Sequence, residues 1–262
     1  NQKAEFLYSD EDKLSIKGTH EDPFFKPAWS PDYLRSLNYI THFAVIKKSL
    51  VDKTGGFREG YEGAQDWDLF LRATREIENS GDYSQSKIVH IPAVLYSWRK
   101  SASSTASGHS WVKSYAYKNQ KKVLEDDLAA RNLAGEVLST GLTGIWRVKY
   151  HIIGKPLVSI VIPTKEKYSF ISKCLNSILD KTTYPNYEIV IIDSGSKEQR
   201  VWNLYEKVKK THNETKVFKW EKKFNFSSVC NYGVEKSKGE FIILLNNDTE
   251  VTEYWLGVLV AE

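Results

Sequence analysis

The sequence predicts an α/β protein built on a mostly parallel sheet with helices on both faces. Three observations carry that expectation. In the last third, short apolar, β-branched runs at 157–162, 188–192 and 241–245 alternate with stretches of helical periodicity. Runs that are apolar at nearly every position are strands covered on both faces, which is how parallel sheets are built. Each run also ends in polar punctuation: Pro163-Thr164-Lys165-Glu166, Asp193-Ser194-Gly195-Ser196 and Asn246-Asn247-Asp248. The loops after such strands share one crevice in an open parallel sheet, and ligands bind there.

Taken in chain order, residues 4–8 form a short strand that runs into Asp10-Glu11-Asp12. Residues 18–38 carry Gly18, Pro23, Pro27 and Pro31 and read mostly as loop. Residues 39–46 read as a strand, and 48–53 as a short helix stopped by Gly55-Gly56. Residues 65–77 form an amphipathic helix whose apolar face is Trp67, Leu69, Phe70, Leu71 and Ala73. Strands at 88–91 and 94–98 flank Pro92, and a serine-rich stretch fills 101–108. The helical pattern at 111–138 rests on Ala116, Val123, Leu124, Leu128 and Ala130. Gly135, Gly141 and Gly144 loosen the chain up to Pro156. Then come the strand at 157–162, a helix at 169–179 and the strand at 188–192. A helix at 198–209, a strand at 216–220, a helix at 227–236, the strand at 241–245 and a helix at 252–260 complete the series. No internal repeat is visible.

Composition excludes several classes. With 262 residues the chain holds one large domain or two small ones. Its 41% hydrophobic and 27% charged residues are those of a globular protein. Two cysteines exclude a disulfide scaffold. No apolar run is long enough to span a bilayer, and no apolar leader follows the polar first residues. The net charge of +4 is compatible with anionic substrates or a membrane surface and diagnostic of neither. A sequence with no methionine that stops inside a helical pattern reads as a piece of a longer protein.

No Gly-x-Gly-x-x-Gly dinucleotide fingerprint follows the 157–162 strand, and no Walker loop is present. A carboxylate at the end of the second of these strands, Asp193, suits a ribose hydroxyl or a base N–H. A hard oxygen ligand at the end of the fourth, in Asn246-Asn247-Asp248, suits Mg²⁺ or Mn²⁺. Singly, an Asp at a strand end is more often a turn former. In this order, the three loops are far more specific.

Ser159-Ile-Val-Ile-Pro-Thr164, the run from Ser177 through Tyr184-Pro-Asn-Tyr-Glu-Ile-Val-Ile-Ile-Asp193-Ser-Gly-Ser196, and Gly239-Glu-Phe-Ile-Ile-Leu-Leu-Asn-Asn-Asp248 closely resemble the nucleotide-binding half of family 2 glycosyltransferases of the GT-A fold. The resemblance covers 157–262. It implies that Pro163, Thr164, Glu166, Asp193 and Ser194 line a nucleotide-sugar pocket. It also implies that Asn246 and Asp248 hold a divalent cation, Mn²⁺ or Mg²⁺. An Asn at the first metal position removes one anionic ligand and makes Asp248 the principal one.

Residues 1–109 resemble the acceptor-side half of the same fold through Tyr8-Ser-Asp-Glu-Asp-Lys13, Phe25-Lys-Pro-Ala-Trp-Ser-Pro-Asp32, Gly55-Gly-Phe57, Gln65-Asp-Trp-Asp-Leu69 and Leu95-Tyr-Ser-Trp-Arg99. By motif position Asp66 is the general base, and an ionised carboxylate at a helix N-terminus suits that task. Asp68 caps or braces the helix. Asp10-Glu11-Asp12 reads as a support for the site or a solvated strand end, with a metal role less favoured. Arg99 is balanced between binding a diphosphate and lying idle on a strand end. His90 and His109 lack partners at ligand spacing.

The halves therefore stand in permuted order, joined by a helical connector at 110–156. A tandem of two transferase domains accounts for this most simply, with a circular permutant as the competitor. Docking of the halves within one chain is placed ahead of a domain-swapped dimer, and in either case Asp66 and Asp248 are expected to face one crevice. The implied partners are a nucleotide-diphosphate sugar and a glycan or lipid-linked glycan acceptor, with no nucleic acid. The implied setting is cytoplasmic, with contact at the inner face of the membrane left open. The implied reaction is inverting transfer in bacterial cell-surface polysaccharide synthesis. The rival is a module that binds nucleotide or glycan, or scaffolds an assembly, without catalysis.

Overall fold

The acidic run Asp10-Glu11-Asp12 lies in the middle of a strand, not beyond one. In the computed structural model, which describes residues 3–81, 87–100 and 114–261, strand β1 (Phe6–Leu14) passes straight through it. Strand β2 (His20–Phe24) and helix α1 (Pro31–Ser36) occupy ground that reads as loop. Pro31 opens α1 because its fixed φ suits a first helical turn and its missing N–H costs nothing there. Only Ala44–Ile46 of the expected 39–46 strand forms, as β3, followed by α2 (Lys48–Thr54), α3 (Gln65–Asn79) and β4 (Ile88–Arg99). Both β2 and β3 run antiparallel to β1, and β4 runs parallel to it, with register shifts between Ser9 and Asp10 and between Asp10 and Glu11.

Helix α3 packs its apolar face on this sheet, with the Phe70 ring edge-on to Phe6 at 5.4 Å. The expected connector is part of the same body. Helix α4 (Ser114–Ala130) ends eight residues before the helical pattern does, and the glycine-marked stretch is a hairpin, β5 (Gly135–Ser139) with β6 (Trp146–Tyr150). Val123, Leu124 and Leu128 of α4 join Val137, Trp146 and Val148 of the hairpin in the core that holds Phe6, Tyr8 and Trp67. A buried carboxylate fixes the arrangement. Asp127 accepts from Arg35 Nε at 3.2 Å, Arg75 Nη1 at 3.1 Å and Arg131 Nε at 2.9 Å. This compact unit runs to His151. The stretch 101–108 and His109 lie outside the described residues.

Residues 152–262 form the second compact unit. Strands β7 (Val158–Thr164), β8 (Tyr187–Asp193), β9 (Thr215–Lys219) and β10 (Phe241–Leu244) make a parallel sheet in the order β10-β7-β8-β9. Helices α5 (Tyr168–Lys181) and α6 (Gln199–Thr211) bury Ile171, Leu175, Val201 and Tyr205 against Ile160, Ile162, Ile189 and Ile191. Helix α7 (Phe226–Lys236) covers the opposite face through Val229, against Val161, Val190 and Ile192. Gly233 lets α7 sit that close: a Cβ there would fall 2.3 Å from Val161 Cγ1. Helix α8 (Trp255–Ala261) buries Leu256. The expected alternation and two-sided cover are present.

One strand departs from expectation. β10 reads as buried, but among the described residues it lies at the edge of its sheet, and Phe241, Ile242 and Leu244 are exposed. Inside the sheet, fully buried Glu188 accepts from Ser159 Oγ at 2.7 Å, and from Lys216 Nζ and the Lys238 N–H at 2.5 Å each. Ser159 Oγ in turn accepts from the Gly239 N–H at 2.8 Å, which fixes the entry to β10.

Removing one partner of a buried ionic cluster strands the rest, at about 3–5 kcal/mol. Asp127→Ala is therefore expected to destabilise the first unit by about that amount, read as a shift of its urea midpoint. A variant as stable as the parent would show that α4 is not integral to this unit.

Candidate functional site

The strand order places one site. From β7 the chain moves to β8 and β9 on one side and returns to β10 on the other, so β7 and β10 flank a topological switch point. In open parallel sheets ligands bind beyond the carboxyl ends at such a point. Pro163 and Thr164 close β7, and Asn246-Asn247-Asp248 follows β10. Asn247 Nδ2 donates to Thr164 Oγ1 at 2.9 Å across the switch point.

Ser194 joins the β8 loop to the same edge, its N–H donating to Thr164 O at 2.9 Å and its Oγ at 3.1 Å. Glu166 and the following Lys167 adopt left-handed backbone (φ 53° and 57°) as the chain turns from β7 into α5. The Glu166 N–H donates to Ser196 Oγ at 2.7 Å. Its carboxylate accepts from the N–H groups of Lys197 and Glu198, at the start of α6. Helix α6 has no side-chain cap of its own, so Glu166 supplies an anion there from a neighbouring loop.

Asp193 is 1% exposed. Its Oδ1 accepts from the Gly195 N–H at 3.0 Å and the Ser196 N–H at 2.7 Å, and its Oδ2 from the Tyr205 hydroxyl at 2.8 Å. Burial and the Asp193 charge push the Tyr205 phenol well above its usual range. Asp193 thus holds the Ser194–Ser196 turn in shape from beneath. Asp248 is exposed at the mouth. Burial, and then the Asp248 charge, push the Cys174 thiol up to about 12, so this thiol stays protonated at neutral pH.

Among the described residues, no group of three His, Cys, Asp or Glu side chains is placed to hold a metal. Exposed Asn246 and Asp248 fit a different kind of site. Mg²⁺-type ions are commonly held by one or two carboxylates, with substrate phosphates and water completing the shell.

The first unit carries its own polar constellation. Asp66 is half-buried in the first turn of α3, and its Oδ2 accepts from Asn38 Nδ2 at 3.0 Å. Asn38 Oδ1 accepts from the Thr41 N–H at 3.5 Å, and Thr41 Oγ1 donates to Glu11 Oε2 at 3.1 Å. The same Oε2 receives the His42 N–H at 3.2 Å and Lys26 Nζ at 3.4 Å. Lys26 has no exposed side-chain surface, and burial lowers its pKa against the pull of Glu11. Asp10 is 3% exposed, taking the Lys26 N–H at 2.9 Å and His90 Nε2 at 2.7 Å. Asp12 is buried and meets His20 at 2.8 Å. The reading of this run as a solvated strand end is therefore corrected: its carboxylates are enclosed and partnered.

His90 has a polar partner, Asp10, and Arg99 is exposed at the end of β4. Asp68 braces α3, as its position suggests: it is 2% exposed and bonded to both Arg58 and Arg72. Asn38, Thr41 and His42 escape a reading by motif, and Lys26 lies within the quoted Phe25–Asp32 segment with no role read for it.

The family model described as Glycosyl transferase family 2 matches residues 159–262. A Sinorhizobium fredii protein carrying the name Uncharacterized protein y4gI is 36% identical over 262 residues, 98% of this chain and 28% of its own length. The O-antigen biosynthesis protein RfbC of Myxococcus xanthus is 34% identical over 263 residues, 98% of this chain and 19% of its own. The glycosyltransferase GlyG of Streptococcus pneumoniae is 29% identical over 106 residues, 40% of this chain and 35% of its own. The match thus covers under a third of the length of the first two relatives and 35% of the third. In the first two, both units align in the same order.

Asp68 also generates a pH prediction. Burial alone would raise its carboxyl, but the bonds to Arg58 and Arg72 outweigh burial and hold it below the usual range. Its stabilising contribution is complete above the ordinary carboxylate range and lost as pH falls through the depressed folded value. Chemical unfolding from pH 6 downward should show the first unit weakening below about pH 4. Asp68→Asn should be weaker at neutral pH and lose less across the same interval. Equal slopes for both chains would contradict the assignment.

Proposed function

We propose that this chain, whose residues 159–262 belong to glycosyltransferase family 2, takes part in moving a sugar from a nucleotide-diphosphate sugar to a hydroxyl of a cell-surface polysaccharide. One observation carries the reading: the family segment folds so that the Thr164, Ser194 and Asn247 loops are hydrogen-bonded around a switch point, with Asp248 exposed at its mouth. The likeness to an O-antigen biosynthesis protein supports a polysaccharide product.

In this reading Pro163, Thr164, Glu166, Asp193 and Ser194 shape the floor on which the nucleoside lies, and Asn246 and Asp248 hold a divalent cation, Mn²⁺ or Mg²⁺. The cation, when bound, neutralises charge on the departing diphosphate. In the transferase domain to which the first unit belongs in this reading, Asp66 takes the proton from the acceptor hydroxyl, with Asn38 fixing the carboxylate by its bond to Oδ2. A base on the acceptor and in-line attack give inversion at the anomeric carbon. Two relatives, each several times longer, carry both units in this order, which supports a tandem of transferase domains. No helix among the described residues is long and apolar enough to cross a membrane. A cytoplasmic setting, peripheral to the membrane where the acceptor is lipid-linked, belongs to the same proposal.

Calorimetry with a panel of nucleoside diphosphates should show Mn²⁺-dependent binding that Asp248→Ala abolishes. Unchanged affinity in that variant would remove Asp248 from the site. In a chain that turns over donor, Asp66→Asn should cut the rate by about 10²–10⁴-fold with donor affinity nearly intact. Full activity would move the base elsewhere, first to another carboxylate of this unit. Nucleotide binding with no release of nucleoside diphosphate from any donor, acceptor present, would favour the non-catalytic module.

A further inference from the structure

The first unit holds a group of stacked rings beside Glu11. Tyr96 and Trp98 alternate with Ser97 along β4 and so share one face of the sheet. Glu11 of β1 is registered directly beside Tyr96. The His42 ring stacks on Tyr96 at 5.1 Å and 13°, and leans on Trp98 at 5.2 Å and 52°. These rings are half-buried, and the His42 side chain is 40% exposed. Its Nδ1 is shielded and without a hydrogen-bond partner, 3.8 Å from Glu11 Oε2. Glu11 is itself linked to Asp66 through Thr41 and Asn38.

We propose that Glu11, His42, Tyr96 and Trp98 form a subsite for one pyranose ring of the acceptor glycan. A pyranose offers an apolar C–H face and a rim of hydroxyls. An aromatic platform takes the first, and a carboxylate beside it accepts from the second. The unpartnered Nδ1 of His42 turns toward a hydroxyl seated on Glu11 and gains the bond it lacks. Charge selects the ligand class. On this face Glu11, with Asp66 tied to it through Asn38 and Thr41, balances Lys26 and the Lys13 registered beside Trp98, so it offers no net positive charge to an anionic nucleotide and suits a neutral polyol. The hydrogen-bonded chain from Glu11 to Asp66 makes this the acceptor side of the proposed reaction. The assignment rests on that reading.

The test is titration of the chain with the methyl glycosides of glucose, galactose, mannose, rhamnose and N-acetylglucosamine, followed by the indole N–H resonance of Trp98, assigned by its disappearance in Trp98→Phe. At least one glycoside should shift that resonance saturably. Glu11→Gln should weaken the binding by about tenfold, the loss of one charge-assisted hydrogen bond, and Tyr96→Ala should abolish it. Retained resonance dispersion checks that each variant is folded. Should Tyr96→Ala unfold, the wild-type titration and Glu11→Gln still decide the matter. No shift with any glycoside overturns the proposal. So does a stronger response to uridine monophosphate, which would make the platform a base-stacking site. Glycoside binding in a chain that binds no nucleoside diphosphate would leave this site standing and sink the transfer reading alone.

Discussion

β7 is the strand on which the second unit turns. The chain leaves it for β8 and β9 on one side and comes back to β10 on the other, so the ends of β8 and β10 both lie beside the end of β7 at the carboxyl edge. The geometry of that edge follows from this reversal. Thr164 can receive Ser194 from one side and Asn247 from the other only because β8 and β10 both neighbour β7. The buried Glu188 holds the reversal in register. It bonds to Ser159 on β7, to Lys216 on β9 and to the Lys238 N–H ahead of β10, so one carboxylate ties β8 to all three other strands. Such a charge is tolerated in an apolar sheet because every bond it needs is supplied.

The same economy governs the first unit. Its polar interior is organised around carboxylates that would be costly alone and are each enclosed by donors: Asp127 by three arginines, Asp68 by two, and Asp10 and Glu11 by Lys26 and a histidine each. These clusters reach across the unit. Arg35 of α1 meets Asp127 of α4, and Tyr150 of β6 meets Asp32 of α1. The helix and hairpin that close the unit are therefore held by the same network that braces α3, on which Asp66 stands.

How far the sequence reveals this depends on where each partner lies. β7 and β8 are legible because burial on both faces demands an unbroken apolar run, and that run is local. Asp193 and Asp248 are legible as strand-end residues for the same reason, although only the structure shows Asp193 turned inward to hold its own loop. β1 is not legible beyond Tyr8, because three acidic residues in a row look solvated. The donors that enclose them come from residues 20, 26, 41, 42 and 90. β10 is legible as a strand from its apolar run, though that run does not report the exposure of Phe241, Ile242 and Leu244 among the described residues. The hairpin did carry a signal. Arg147 and Lys149 alternate with Trp146, Val148 and Tyr150 at strand period, but the surrounding glycines outweigh it in a local reading. The link from Asp66 through Asn38 and Thr41 to Glu11 leaves no trace in spacing.

The central claim is that the carboxyl edge of the β10-β7-β8-β9 sheet is where a nucleotide binds. Hydrogen exchange followed by mass spectrometry, with and without a nucleoside diphosphate and Mn²⁺, addresses it directly. The account predicts protection concentrated in residues 163–167, 193–198 and 246–249, three segments far apart in sequence and joined only at the switch point. Protection confined to other segments, or none with any nucleoside diphosphate at saturating concentration, would contradict it.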